Sequence, residues 1–581
     1  MRKTSTRAIF QLYDTSASQD GVFTANDILS ICDLSNLDDK AAITTKYATL
    51  ENDGFSLDGS CSIMNSSMND GDVCYWSESM SKSDGTFDIN PFLERIFSNK
   101  HSSAGITLIF DHDYPLPLEV RVSLFDENDL ILKEGVFNPD SFSYFCDLKA
   151  NDYKRVEIEF IKVEPYSYAR LKNVEYGITL EYSSGLDKGI SKASLLEEID
   201  ITSTTVSINS SSLTVIDHEE TFNIDNPQGY YSLLQQKQKV QIFETIGGIE
   251  YEMATHYLKS WETESGVIST FKCHDILGVM DGSTFQGNVY DNVQAKTIID
   301  EIMTSFGWSD YYVDPEVGEV ILSGIIKPMT FREALQQVVF AACGVIDTSR
   351  ISGINIYKPS HSTTTLITGN RKFMSPAHKI TQTDLITDVE VTAHRYVLSD
   401  DKKEVYKATL TPGIYELSFD QPSQDYSCVN CTLLEDGHFK VKVSVLEQAE
   451  VIVKAFIYED NTVLFRKTMA ELPAGMYRKT KKIQDATLVS EENAVKLSEH
   501  LYKYYQYRLS HEVKIICEDE KVGNYSAVKT KNNMVSVVFG MMDIDLTGGF
   551  LAKCKGIGYA LKDIDINYSG EIFSGDEFGV I

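Results

Sequence analysis

Over much of the chain, apolar and polar residues alternate with a period of two in short runs broken by turn residues, the pattern of half-buried strands. Arg155-Val156-Glu157-Ile158-Glu159-Phe160 is the cleanest case, with one apolar and one charged face. The runs Ile106–Phe110, Leu118–Phe125, Asp129–Lys133, Ser141–Leu148, Arg155–Val163 and Val174–Tyr182 recur at the spacing of a sandwich or jelly roll. Strand signals continue through Ile199–Ile208, Ser212–Ile216, Val240–Glu244, Tyr251–Lys259 and Ile268–His274. With Gly247-Gly248 placed for a hairpin turn, this stretch predicts a small barrel or half-barrel.

Two helices interrupt the β pattern. In Ala295–Phe306 the apolar residues Ala295, Ile298, Ile299, Ile302, Met303 and Phe306 share one face, and Gly307 supplies a stop. In Phe331–Cys343, Thr330 and Glu333 are spaced for a capping box, and Ala334, Leu335, Val338, Val339 and Ala342 form the apolar stripe. Further strands are expected at Gly353–Tyr357 and Asp388–Val397. Thr411–Phe419, Lys440–Val445 and Val451–Tyr458 mark a second sandwich-like block. Ser490 is placed to cap a third helix carrying Ala494, Leu497, Leu501 and Tyr504 on one side, followed by strands Glu512–Cys517, Met534–Phe539 and Gly556–Leu561.

These signals divide the 581 residues into several units, as the length of the chain requires. Residues 1–95, rich in Ser, Asn, Asp and Gly, are expected to be an extended segment wrapping on a neighbour. Residues 96–185 are expected as a β-sandwich, 186–289 as a first barrel, and 290–365 as a small α+β module. A second barrel is expected from 366–403 plus 483–581, split by an inserted sandwich at 404–482. The expected fold class is mainly β with α+β parts. An abundance of Tyr and Phe, 31 and 28 residues against 3 Trp, strengthens it, since such residues favour strands.

Formal net charge is −32, and a surface that acidic repels phosphate backbones, so specific nucleic-acid binding is not expected. The acid could instead line a lumen or meet a basic partner. The ten cysteines are scattered, without the dense framework of a secreted disulfide domain, which fits folding in a reducing cytosol. The basic start Met1–Arg7 is not followed by an apolar stretch, so no signal peptide is expected. No window approaches the ~18 apolar residues of a membrane span.

Candidate chemistry is sparse. Asp111-His112-Asp113 has metal-ligating side chains, but neighbours on a strand point to opposite faces, and Tyr114-Pro115 makes a polar loop the simpler reading. Cys428-Val429-Asn430-Cys431 has the spacing of half a zinc site with no second half, in a strand-and-turn context; a chance pair is the simpler reading. His511-Glu512 lacks the second His of a zincin helix. Glu197-Glu198 and Glu491-Glu492 are two acid pairs among 85 acids, uninformative about a glycosidase dyad. Tyr502, Tyr504, Tyr505 and Tyr507 crowd one helix, where partial burial is favoured over a ligand platform. No catalytic residue, cofactor site or metal site is therefore expected, and the chain is not read as an enzyme.

Three stretches resemble known proteins. Lys46-Tyr47-Ala48-Thr49-Leu50-Glu51, Leu57-Asp58-Gly59-Ser60 and Tyr75-Trp76-Ser77 with Asp84-Gly85-Thr86-Phe87 look like the opening of tail structural proteins of clostridial phages and related bacteriocin particles. Lys239–Ile242, Phe271–Leu277, Ala295–Ile299 and Phe331–Gln337 are similar in order to the baseplate hub family of contractile tails. Asn493-Ala494, Leu497, Leu501–Tyr505, Val513–Ile515 and Asp545–Gly549 resemble that family's second barrel. The resemblance implies two tube-like β-barrel hub domains per chain and a homotrimer whose six barrels match a sixfold tube to a threefold tip. It implies partners in the tail tube protein, the spike, other baseplate proteins and a tape-measure protein, with assembly in the bacterial cytoplasm. The alternative is a tail-tip protein gripping cell-surface glycan through a sandwich, using loop aromatics such as Tyr114 or Tyr144. A peptidoglycan-cutting tail enzyme is a third reading, and the missing nucleophile and metal weigh against it.

Overall fold

The computed structural model describes residues 3–14, 16–38, 46–51, 54–55, 61–63, 73–185, 189–226, 229–359, 363–472, 475, 477–531 and 533–560. Strand outweighs helix, 52% against 12%, as the alternating pattern predicts.

Seven strands form a closed barrel: β1 (Thr4–Tyr13), β2 (Gly177–Ser184), β3 (Gly189–Glu198), β4 (Ser210–Ile216), β5 (Lys239–Ile246), β6 (Ile249–Glu264) and β7 (Ile268–His274). Their order is β2-β1-β5-β6-β7-β4-β3, and a short parallel pairing of Ser183 and Ser184 with Gly189 and Ile190 closes the ring. The expected hairpin sits between β5 and β6, where Gly247 and Gly248 both take positive φ, 63° and 95°. Every second residue of β1 (Thr6, Ala8, Phe10, Leu12) points inward. There Phe10 packs on Tyr182, Phe222 and Phe271 at centroid distances of 5.8, 6.4 and 4.8 Å. The barrel interior is a packed core, not a pore.

β1 and β2 lie outside the 186–289 stretch that predicts the barrel, and the start of the chain is a barrel strand flanked by β2 and β5. This differs from an extended wrapping segment: β1 alternates like any barrel strand, but its partners lie more than 160 residues away, so no local signal announces the pairing.

The sandwich hangs between β1 and β2. Its five-stranded sheet joins Phe23–Ala25, Phe92–Ser103, Ala150–Lys162, Glu119–Phe125 and Ile131–Phe137, and faces Ser143–Cys146, Ile106–Ile109 and Asn173–Glu175. Residues before 96, including Ala17, Phe23, Tyr75 and Leu93, belong to its core. The predicted run Val174–Tyr182 is in fact two strands, one in each unit. They part at Gly177, where φ is +149° and a Cβ would sit 2.0 Å from the Leu12 carbonyl oxygen.

A half-barrel of six strands continues the sheet: β8 (Thr363–Ile367), β9 (Lys379–Gln382), β10 (Leu509–Ile516), β11 (Tyr525–Lys529), β12 (Met534–Asp545) and β13 (Leu551–Ala560), in the order β8-β11-β12-β13-β10-β9. β3 joins the two bodies. Its first residues close the barrel against β2, and Ser194–Glu198 pair with Asp545–Met541 of β12. One 13-stranded sheet therefore runs through both.

The helices pack beside this sheet. α1 (Ala295–Phe306) ends at Gly307 in the left-handed conformation, and α2 (Phe331–Ala341) carries the predicted Thr330/Glu333 capping box. α3 (Glu491–Tyr505) covers the ribbon strand Asp388–Leu398, and the three helices share one apolar core with it. Ser490 precedes α3 in extended backbone, but its hydroxyl donates to Asn493 Oδ1 (3.1 Å) rather than capping the helix. The inserted sandwich is shorter than 404–482. Ala449–Thr468 is a single strand of 20 residues whose first half pairs inside the sandwich and whose second half forms a ribbon with Asp388–Leu398.

Candidate assembly surface

Closing a sheet into a barrel satisfies every edge, whereas an open sheet leaves a row of backbone donors and acceptors. The half-barrel ends on β9, which among the described residues pairs with β10 alone. The Thr383 N–H donates to the Arg508 carbonyl (2.8 Å). Strand alternation then turns the N–H groups of Thr381 and Lys379 toward β10 and those of Gln382 and Ile380 outward. All four β9 residues are exposed, Ile380 by 44%. The edge thus offers two outward amides, an exposed apolar side chain and Lys379, which is paired loosely with Glu512 at 3.9 Å.

Behind this edge the half-barrel is fixed by polar groups. His378 Nε2 and His511 Nδ1 are 3.1 Å apart, one donating and the other accepting. Burial, with Lys372 nearby, lowers His378 to about 4. Burial, with His378 and Lys372, lowers His511 to about 4. Both imidazoles are neutral at pH 7, and the Lys372 ammonium donates to the Lys529 carbonyl. Arg371 donates to Glu520 (2.6 Å) and to the Ile516 carbonyl (3.0 Å), anchoring the approach to the edge.

At the seam, Arg350 meets Glu197 of β3 in a two-point contact of 2.9 and 3.1 Å. Burial alone would lower the Arg350 guanidinium, but the Glu197 carboxylate holds it above its ordinary value. Glu197 is 1% exposed and Arg350 15% by side chain, so the pair is a buried bolt where the barrel meets the half-barrel.

The other residues with candidate chemistry are separated from one another. Asp111-His112-Asp113 forms a loop in which the Asp113 N–H donates to Asp111 Oδ1 (3.1 Å) and the His112 ring lies tilted against Phe142, centroids 4.2 Å apart. Among the described residues no group of three or more His, Cys, Asp or Glu is arranged to hold a metal. Tyr114, expected on a binding loop, is instead buried against Trp76, where the Arg170 guanidinium lies 4.0 Å from both rings and pairs with Glu51. Those aromatics are committed to fixing the segment that carries Glu51. Tyr144 is half-buried beside Phe137. Glu491 and Glu492 occupy the first turn of α3, exposed. Tyr504 and Tyr507 pack on the barrel core while Tyr502 and Tyr505 pack on the helical one, so the tyrosine cluster fills the joint between two cores. The Arg350–Glu197 bolt and the β9 edge carried no local sequence signal; both are products of pairing.

The class defined by this geometry is a mainly β protein in which a closed seven-stranded barrel and a half-barrel share one sheet. The chain is similar to several solved structures. One is a 43 kDa tail protein of prophage MuSo2 from Shewanella oneidensis, 13% identical, covering 63% of this chain and 94% of that one at a TM-score of 0.36. A second is a tail protein from Neisseria meningitidis, 6% identical, covering 68% and 93% at a TM-score of 0.38. A third belongs to the virion of a native gene transfer agent particle, 8% identical, covering 84% and 83% at a TM-score of 0.27. No family profile and no curated protein matches the chain.

Proposed function

We propose that the chain is a non-catalytic structural subunit of a phage tail or phage-tail-like injection particle, a hub that joins the tail tube to the tip or spike as a homotrimer. The observation that carries this reading is the unequal pair of barrels in one sheet. The first barrel is sealed, and among the described residues the second stops at β9 with the Ile380 and Gln382 amides turned outward. Copies that continue each other's sheets around an axis satisfy those amides and build a wall of barrels. The net charge of −32 suits a channel wall that does not retain a nucleic acid in transit. Function then resides in shape and interface, with the tube protein, the spike and neighbouring baseplate proteins as partners.

Light scattering on the purified chain over a dilution series tests this reading. Three times 65.3 kDa is expected at about 10 µM, and Ile380→Pro shifts the population toward the single-chain mass at the same concentration. A chain that stays single at every concentration would refute the homotrimer.

A further inference from the structure

Cys428-Val429-Asn430-Cys431 makes the reversal between strands Ser423–Val429 and Thr432–Asp436, at the end of the inserted sandwich away from its connection to the ribbon. The two flanking strands belong to different sheets. Ser423–Val429 pairs with the long strand Ala449–Thr468, and Thr432–Asp436 pairs with Lys440–Val445. Strand alternation turns Tyr426 and Cys428 to the space between the sheets and Ser427 and Val429 to solvent. Cys431 and Leu433 face the same space, against Val443, Val451 and Val453. Asn430, at a φ of 61°, takes the left-handed conformation that lets the chain reverse.

Residues i and i+3 of a tight turn have Cα atoms within about 7 Å, and a disulfide spans ~4.4–6.8 Å, so a reversal of this length suits a bond between Cys428 and Cys431. Both side chains pack against the same small core between the sheets, and burial, with the neighbouring Cys428 thiol, pushes Cys431 up to about 12. Both sulfurs are half-buried at a tip, within reach of a small solute. Cys74, Cys146, Cys273, Cys517 and Cys554, by contrast, are buried in the cores.

We propose that Cys428 and Cys431 are a redox-responsive dithiol that closes to an intrachain disulfide when the protein meets a small disulfide oxidant, clamping the two sheets of the inserted sandwich together at its tip. One cysteine, as thiolate, attacks the oxidant and releases its first thiol, leaving a mixed disulfide. The second cysteine, as thiolate, attacks the protein sulfur of that mixed disulfide and releases the other thiol. Two protons and two electrons leave the pair, and the oxidant is reduced to two thiols. The bond keeps together two sheets that this reversal otherwise joins only through a bend. A chain made in a reducing compartment carries the open form and closes the bond on exposure to an oxidising one. The inference stands on the geometry of this reversal between two sheets and is independent of the tail reading.

The full-length protein, incubated in oxidised glutathione and then alkylated, tests it. The tryptic peptide Ala408–Lys440 contains both cysteines. Its mass is expected to fall by about 2 Da with neither sulfur alkylated, and the rate should rise with pH because the thiolate is the reacting form. Cys428→Ser and Cys431→Ser each leave one cysteine that ends as a glutathione adduct. Chymotryptic cleavage inside 403–457 should slow about tenfold in the oxidised wild type and not in either variant. The proposal is overturned if the peptide takes up two alkyl groups in a buffer that fully oxidises a reference dithiol. It also fails if the variants show the same protection as the wild type. Circular dichroism of the reduced proteins separates a lost bond from a lost fold.

Discussion

The barrel and the half-barrel are made of the same kind of strand and share β3, yet they end differently. In the first, Ser183 and Ser184 find Gly189 and Ile190 and the ring is complete. In the second, β8 and β9 are, among the described residues, the terminal strands of an open sheet. Each brackets an inserted sandwich, the first between β1 and β2 and the second between β9 and β10, so the difference lies in how the sheet ends: in a parallel pairing of β2 with β3, or in the four exposed residues of β9. Closure satisfies every edge of the first barrel, while the open side leaves the outward amides of β9, the edge through which we propose that copies associate.

The largest test of the contrast is a proline inside the sealed body. Ile242 is fully buried on β5, between β1 and β6. Ile242→Pro removes a ladder hydrogen bond and a buried side chain, a combined cost of about 5–8 kcal/mol. The expected result is a chain that does not fold, read by circular dichroism and by recovery in the soluble fraction. Soluble, cooperative unfolding in this variant would mean that closure contributes little.

A smaller effect is expected at the seam. Glu197→Ala strands the Arg350 guanidinium beside β3 and should cost about 3–5 kcal/mol, read as a shift of the urea midpoint at unchanged slope. If the barrel and half-barrel are independent bodies, the same substitution instead splits the transition into two.

How much of this was legible in the sequence depended on distance along the chain. α1, α2, the Thr330 capping box and the Gly247-Gly248 hairpin are local, and period and turn chemistry predicted each of them. β1 was readable as a strand but not as a barrel member, because its partners Glu181 and Gln241 lie far along the chain. The inserted sandwich was read as too long for a related reason. Glu459-Asp460-Asn461-Thr462 looks like a turn, but these residues continue a strand against Val397, Tyr396, Arg395 and His394. Glu197 appeared only as one of two adjacent acids, since nothing near it announces Arg350, 153 positions away. The CxxC reversal was visible as spacing, but not the fact that it links strands of two different sheets.

The sealed barrel also contains a titratable probe. Glu244 is fully buried on β5, accepting from the Thr6 hydroxyl at 2.7 Å, and burial raises its carboxyl from 4.5 to about 7. The folded state therefore holds a proton that the unfolded chain has already released. This group's contribution to stability is fully present below about pH 4.5 and is lost as the pH rises toward 7. Glu244→Gln keeps a neutral side chain at every pH. It should be more stable than the wild type above pH 7 by on the order of 2 kcal/mol and lose that advantage toward pH 5. Equal pH profiles for the two proteins would show that the carboxyl is solvated in the barrel.

The smallest expected effect on stability comes from the same kind of substitution as the largest, moved to the open edge. Ile380 turns its N–H away from β10, so Ile380→Pro leaves the ladder between β9 and β10 intact, and edge positions of this kind tolerate proline. The cost in the single chain is expected to stay within about 0.5 kcal/mol, against several for Ile242→Pro, although both put a proline into a strand of the same sheet. The difference between the two variants measures closure. The comparison sharpens further if Ile380→Pro keeps the wild-type urea midpoint while light scattering reports dissociation, because an interface through β9 then loses one of its two outward amides and the fold loses nothing. If instead Ile380→Pro destabilises the chain as much as the Glu197 variant does, the edge of the half-barrel is part of the core, and association must use another face.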